Sequence, residues 1–314
     1  MNDIEIKIFV VLVTYNRLEK LKIALNSYEV QSRKPTHIIV VNNNSSDGTS
    51  EFLKEWELSS TLSKHTVINT GKNLGGAGGF YIGMKKAIEL GADWIWVADD
   101  DAYPDNNAFK VLSITIGNNT FSDVACFCGA VYIGKSNSID TDHRRIEKNR
   151  IIKIPYKVPI QEYGNEYISI DESTYVGSCY KVTVLKKAGL TNQNLFIYFD
   201  DTEHSHRVRK EGRILLIPSI KIIHDTASYI PLEPNVIATW RDFYLLRNHV
   251  YTLKHYHLLT CIIYAFAKGL MTFRDYLSNQ NFQLLKMRLK AIHDGIIGQL
   301  GIHSEFKPGY KIYK

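Results

Sequence analysis

A nearly continuous apolar, largely β-branched run at residues 6–13, interrupted at Lys7 alone, constrains this 314-residue chain more than any other stretch. A strand without polar alternation must be covered on both faces, as the strands of parallel sheets are. Behind it come a helical period over 18–30, a strand at 37–41, a polar turn cluster at 42–50, a helix through Trp56 and a short strand at 67–70. This is βαβ grammar. The expected class is α/β, with right-handed crossovers and with ligands at the carboxyl ends of the strands.

The next apolar strand, 94–98, ends abruptly in Asp99, Asp100 and Asp101. Three adjacent carboxylates repel one another, so the arrangement costs stability unless a cation neutralises it. Oxygen-rich, hard ligands suit Mg²⁺ or Mn²⁺, metals that commonly share their shell with phosphates. The alternative is a solvated acidic turn, with Asp105 starting the following helix.

Between these strands lies Gly71-Lys-Asn-Leu-Gly-Gly-Ala-Gly-Gly-Phe80, with five glycines in nine residues. A G-x-G-x-x-G frame from Gly76 meets Tyr81 at its last glycine position, which excludes the dinucleotide fingerprint. A glycine-rich turn ahead of a helix at 80–90 still suits a diphosphate through free backbone N–H groups; tight helix-to-sheet packing is the competing explanation.

Helix is expected at 106–116 and strand at 124–132. Residues 134–170 are polar and aperiodic and are read as a long loop edging the site. A strand at 174–180 and a helix at 181–188 lead to the second acidic cluster, Phe196-Ile-Tyr-Phe-Asp-Asp-Thr-Glu-His-Ser-His-Arg207. Asp200 and Asp201 open a helix there, and a carboxylate facing the first cluster can act as a general base. Glu203, His204 and Arg207, one turn on, are candidates to orient the pair. Short strands are expected at 214–218 and 220–224, with His224 at a strand end as a candidate metal ligand.

Charge is distributed unevenly. The net charge is +6, yet residues 240–314 carry eleven Lys and Arg against four Asp and Glu. This argues against a nucleic-acid coat and for a basic C-terminal helical region that meets an anionic surface, such as lipid, or a second copy of the chain. Four cysteines without a C-x-x-C pair and an N-terminus without a signal-peptide pattern fit a reducing cytoplasm.

Together, Val13-Thr-Tyr-Asn-Arg17, the 42–49 turn, Asn73-Leu-Gly-Gly-Ala-Gly-Gly-Phe80, Asp99-Asp-Asp-Ala102, Phe199-Asp-Asp-Thr-Glu203 and His224 resemble the family 2 glycosyltransferases of GT-A fold. The likeness is greatest to the bacterial galactofuranosyl- and rhamnosyltransferase branch. The resemblance implies a catalytic domain over 1–235, with a nucleotide-sugar half at about 1–116 and an acceptor half at about 117–235, followed by the basic helical region 236–314. It implies that Thr14, Tyr15, Arg17 and Asn43 line the nucleotide pocket, joined by Asp99 and Asp100, while Asn73, Gly75 and Gly76 lie near the diphosphate and sugar. Asp99 and Asp101 match the D-x-D metal motif, with His224 as third ligand. Asp201 matches the catalytic base, and Asp200 and Glu203 would hold the acceptor hydroxyl. Asn42 and Asn43 stand where many relatives carry an Asp.

The implied reaction is an inverting, metal-dependent transfer from a nucleotide sugar, with UDP-galactofuranose ahead of dTDP-rhamnose, to a cell-surface or lipid-linked glycan. The implied setting is the cytoplasmic face of a bacterial membrane. A non-catalytic glycan-assembly subunit and a nucleotidyltransferase are the competing classes; the latter lacks its basic glycine loop.

Overall fold

The computed structural model describes residues 6–59, 63–134, 136, 138–148, 151–225 and 233–314. Its parallel half consists of β1 (Ile8–Thr14), β2 (His37–Asn42), β3 (Lys64–Asn69) and β4 (Trp94–Asp99), in spatial order β3-β2-β1-β4. Helices α1 (Leu18–Glu29), α2 (Thr49–Leu58) and α3 (Gly75–Glu89) make the crossovers. Thr14 stands beside Asn42, Asn42 beside Asn69, and Val13 beside Asp99, so the strands end level and their polar termini share one edge.

The apolar run of β1 divides between two cores, as a strand covered on both faces must. Val10 and Leu12 pack with Leu21, Tyr28, Leu53 and Trp96; Val11 and Val13 pack with Phe80, Met84 and Val97. The buried indole of Trp96 donates to the Tyr28 hydroxyl at 3.0 Å, leaving no orphaned donor there. Helix α3 begins five residues earlier than the sequence suggests, inside the glycine run itself. A Cβ at Gly79 would overlap Val13, and one at Gly83 would overlap Val11. Packing against β1 therefore explains Gly79 and Gly83, though not Gly75 or Gly76.

The second half adds β5 (Ala102–Pro104), α4 (Ala108–Gly117), β6 (Val124–Ile133), β7 (Arg144–Ile146), β8 (Tyr156–Lys157), β9 (Ile168–Ile170), β10 (Glu172–Ser173), β11 (Ser178–Lys181), α5 (Val182–Ala188), α6 (Asp200–Val208) and β12 (Arg213–His224). β11 enters antiparallel between β4 and β6, whereas β12 runs parallel to β6 and antiparallel to β5 and β9. The class is α/β as expected, and the sheet is mixed. The two short strands expected at 214–224 are one strand with a register break between Ile217 and Lys221; Pro218, which cannot donate to the ladder, falls within the break.

Residues 134–170 are less irregular than they read, apart from 135, 137, 149 and 150, which lie outside the described residues. β7, β8 and β10 form a small sheet. The fully buried Arg144 ties it to the main body by donating to the carbonyls of Gly129 at 3.0 Å and Val176 at 2.7 Å.

A ribbon of β13 (Val236–Thr239) and β14 (Lys311–Tyr313) flanks helices α7 (Trp240–Tyr256), α8 (Leu258–Asn279) and α9 (Phe282–Ile297). Thr239 and Asp242 close a capping box on α7. Phe243, Tyr244, Leu284, Met287 and Phe306 form a core of their own, which takes in Phe196 from the segment before α6. Along α8, Leu259, Ile262, Ile263, Phe266, Leu270, Phe273 and Leu277 recur at helical spacing on one face, and all are exposed. No helix among the described residues is long and apolar enough to cross a membrane.

Candidate active site

Beyond the ends of β1 and β4 the chain turns, and its carboxylates are held by what the turns bring near. Thr14 donates its hydroxyl to Asp100 at 2.8 Å. Arg17 bridges Asp100 at 3.2 Å and Asp101 at 2.7 Å with one guanidinium nitrogen. His224, at the end of β12, lies 3.4 Å from the other Asp101 oxygen, and the Asp225 N–H donates to the Asp101 carbonyl at 2.8 Å. Burial pushes Asp101 up, but His224 and Arg17 outweigh it and leave that carboxyl below its ordinary range.

For Asp99 the balance goes the other way. Burial, then the charges of Asp101 and Asp100, push it well above the carboxylate range although Arg17 opposes them. Burial lifts Asp100 to about 6 even against Arg17 and Thr14. One guanidinium facing three carboxylates leaves the cluster short of positive charge, which a divalent cation would supply.

Behind His224 lies a relay that sequence inspection missed. His224 Nδ1 is 3.2 Å from His143 Nε2, which is 3.3 Å from an Asp140 oxygen. Ligand atoms of Asp140, His143 and His224 all lie within 4.8 Å of one another, a donor set a metal could use, whereas Asp99 stands outside this group. The two histidines are 81 residues apart in the chain, and nothing in the sequence pairs them.

The glycine turn is pinned from β2. Asn43 accepts from the Leu74 N–H at 2.8 Å and donates to the Gly75 carbonyl at 3.0 Å and to Asn73 at 3.2 Å. Asn73 in turn accepts from the Gly75 N–H at 2.8 Å. Both amides expected to meet the ligand thus hold the loop, and Asn43 is buried. A Cβ placed on Gly76 would meet nothing within 4 Å, and Tyr15 is exposed, so both face open space.

The second acidic cluster sits on a strained approach. Phe196, Tyr198 and Phe199 all have φ between 63° and 69°, a region that costs a non-glycine residue roughly 1 kcal/mol or more. Asn248 of α7 holds this turn by donating its amide to the carbonyls of Leu195, Ile197 and Tyr198 at 2.8–3.0 Å. Arg247 reinforces it, donating to Asn248 at 2.8 Å and to the Leu195 and Gly301 carbonyls. Both side chains are buried. The turn delivers Asp200 and Asp201 to the start of α6. Burial and the neighbouring Asp201 charge push Asp200 up to about 8, and burial lifts Asp201 too, although it accepts the Thr202 N–H at 2.6 Å.

The expected helpers on α6 do not reach this pair. Glu203 is buried with both oxygens engaged, by Arg207 at 2.8 and 2.9 Å and by the Tyr256 hydroxyl at 2.8 Å. His204 lies between the Tyr175 hydroxyl and the Gly189 carbonyl, and Arg207 also caps the carbonyls of Ala188 and Leu190. At i+3, i+4 and i+7 from Asp200 these side chains share its helix face, yet they turn toward α5 and α7.

The family "Glycosyl transferase family 2" matches residues 9–176. Galactofuranosyltransferase GlfT1 of Mycolicibacterium smegmatis is 28% identical over 204 residues, 64% of this chain, which thereby spans only 65% of that relative's length. dTDP-rhamnosyl transferase RfbF of Shigella flexneri is 26% identical over 303 residues, covering 94% of this chain and 97% of that one. Among solved structures, GalNAc-T7 with UDP, GalNAc and Mn²⁺ superposes with a TM-score of 0.62 at 14% identity, over 94% of this chain and 57% of that one. This likeness is one of fold, GT-A.

Proposed function

The chain belongs to glycosyl transferase family 2, and we propose that it moves a sugar from a nucleotide-sugar donor to a hydroxyl of a cell-surface or lipid-linked glycan in one inverting, metal-dependent displacement. One observation carries this reading: the turn that opens the donor-side helix α3 lies in backbone contact with the approach to Asp200 and Asp201, the Ala77 N–H donating to the Phe196 carbonyl at 3.2 Å. This brings the second carboxylate pair toward the end of the sheet where Asp99, Asp100 and Asp101 stand.

The donor set fits a divalent cation. Asp99 is pushed well above the carboxylate range even with Arg17 near, Asp101 follows it by two residues, and His224 is 3.4 Å from Asp101. Asp99, Asp101 and His224 would hold Mn²⁺ or Mg²⁺, which when bound stabilises charge developing on the departing diphosphate. Arg17 and Thr14 fix the acidic turn on the donor side, and the N–H of Gly76 in the first turn of α3 offers a donor to phosphate oxygens. Asp201 accepts the proton of the acceptor hydroxyl as it attacks; a carboxylate raised toward neutrality is suited to that work. Asp200 stays protonated beside it and can donate to the acceptor. Glu203 is a strut of α6 and takes no part.

UDP-galactofuranose is the first donor reading, supported by the match to GlfT1. The near-full-length match to RfbF favours dTDP-rhamnose as the second. Calorimetric titration with UDP, dTDP and GDP, with and without Mn²⁺, separates them. Metal-dependent binding of UDP alone supports the first, preference for dTDP the second, and no binding to folded protein a non-catalytic subunit.

The α8 stripe supports a peripheral position on an anionic membrane surface, where a lipid-linked acceptor would be met. Half-exposed Leu, Ile and Phe side chains gain on the order of 1 kcal/mol each when moved from water into an apolar phase. Basic side chains of the same region supply the attraction to acidic headgroups.

A further inference from the structure

Outside the acidic cleft, a second cluster of metal-ligating side chains is buried where three segments meet. Glu147 follows β7, His206 lies on α6, and His257 joins α7 to α8. His257 Nε2 is 2.9 Å from Glu147 Oε1, and His206 Nδ1 is 3.8 Å from the same oxygen. The three side chains are 2–7% exposed.

His206 is the telling member. Its Nδ1 is buried and has no hydrogen-bond partner among the described residues, a condition native proteins avoid. Its Nε2 faces Glu172 Oε1 at 3.6 Å. Glu172 is the carboxylate nearest Nε2, so it favours the tautomer protonated there, which turns the Nδ1 lone pair toward Glu147 and His257, the arrangement that orients metal-binding imidazoles. The Tyr256 ring stacks on the imidazole at 4.4 Å and fixes its plane. Arg209 occupies the other Glu147 oxygen at 3.1 Å, so Oε1 is left to serve as a single ligand. Burial keeps His206 neutral, as a ligand must be, by lowering it to about 3.

We propose that Glu147, His206 and His257 form a site for a zinc-class dication, separate from the magnesium- or manganese-type site of the cleft. Two imidazoles and one carboxylate are zinc-type donors, softer than an all-oxygen set. To present Nε2 to the metal, neutral His257 would carry its one proton on Nδ1, and coordination would replace its contact with Glu147. The ion clips the C-terminal helices to α6, the helix that begins with Asp200 and Asp201. It does not depend on which sugar is transferred.

The test uses the full-length chain, stripped with a chelator and titrated with Zn²⁺, then Co²⁺, under excess Mg²⁺. Expected are one tightly held equivalent of zinc per chain, a visible spectrum of tetrahedral cobalt, and a higher melting temperature with zinc. Asp99→Asn and His143→Gln should keep that equivalent, while His206→Gln and Glu147→Gln should lose it. Glu172→Gln should weaken zinc about tenfold to a hundredfold through the lost support of His206. No retained zinc, no tetrahedral cobalt spectrum in the wild type, or loss of the equivalent in His143→Gln but not in Glu147→Gln overturns the proposal. Should His206→Gln not fold, the wild-type cobalt spectrum and Glu147→Gln still decide.

Discussion

A Cβ placed on Gly75 would overlap the carbonyl oxygen of Phe196. The start of the donor-side helix and the approach to the second acidic pair are thus in backbone contact, and the Ala77 N–H donates to that same carbonyl at 3.2 Å.

Gly75→Ala should therefore disturb both clusters at once. Its φ of +72° strains any side chain, and the methyl has nowhere to go. We expect transfer to fall at least tenfold, with a loss of about 2 kcal/mol of stability. Gly76→Ala, whose Cβ meets nothing within 4 Å, should stay within about 1 kcal/mol of wild type. Urea melts and initial rates on the two variants decide; equal behaviour would show the contact to be dispensable.

Asp201→Asn should abolish transfer while UDP or dTDP binding with Mn²⁺ persists, since the pair acts on the acceptor. Loss of nucleotide binding in calorimetry would overturn this division of work between the clusters.

Asn248→Ala removes the one amide group that serves three carbonyls of the strained turn and should cost about 2–3 kcal/mol. Its signature is a lowered kcat with the donor KM nearly unchanged, because the turn positions Asp200 and Asp201 rather than the nucleotide. An equal rise in donor KM would contradict that role.

The raised carboxylates predict a pH-dependent response to metal. Asp99, Asp100, Asp200 and Asp201 all bind protons more tightly folded than unfolded. The folded state therefore holds more protons between about pH 4 and 8, and the metal-free protein loses stability as pH rises through that window. A cation at Asp99 and Asp101 competes with those protons, so the gain in melting temperature from Mn²⁺ should be larger at pH 8 than at pH 5. A pH-independent gain in thermal scans would place the metal elsewhere.

Replacing Ile262 and Phe266 by Glu should cut binding to anionic vesicles at least tenfold without altering donor affinity. Flotation and light scattering read the two outcomes. If the variants instead convert a dimer to a monomer, with vesicle binding absent throughout, the α8 stripe is a surface between copies.

Much of the parallel half was legible because periodicity records burial directly: a strand like residues 8–14 has no other way to read. Carboxylates at the end of β4 were legible because their mutual repulsion needs an explanation wherever they lie. That Asn43 pins the glycine turn was not, since an amide that faces a nucleotide and one that pins a turn are the same residue type. Nor could the sequence pair His224 with His143, or Asn248 with a turn 50–53 residues earlier. Such contacts depend on how distant segments dock, and the local pattern does not carry that information. Pro218 is ambiguous for a related reason, because in sequence a break in the ladder and the end of a strand read alike.

The grip of Asn248 and Arg247 on the 195–198 carbonyls bears on how such a protein could be recombined. A C-terminal region that merely anchored the enzyme could be exchanged for that of a relative at the junction near residue 236. Here that cut would separate the acidic pair from its support. A chimera meant to redirect the enzyme to another surface should keep α7 with the catalytic body and join the foreign segment within α8. By the same reasoning, the unit inherited as a whole extends past the sheet to include α7.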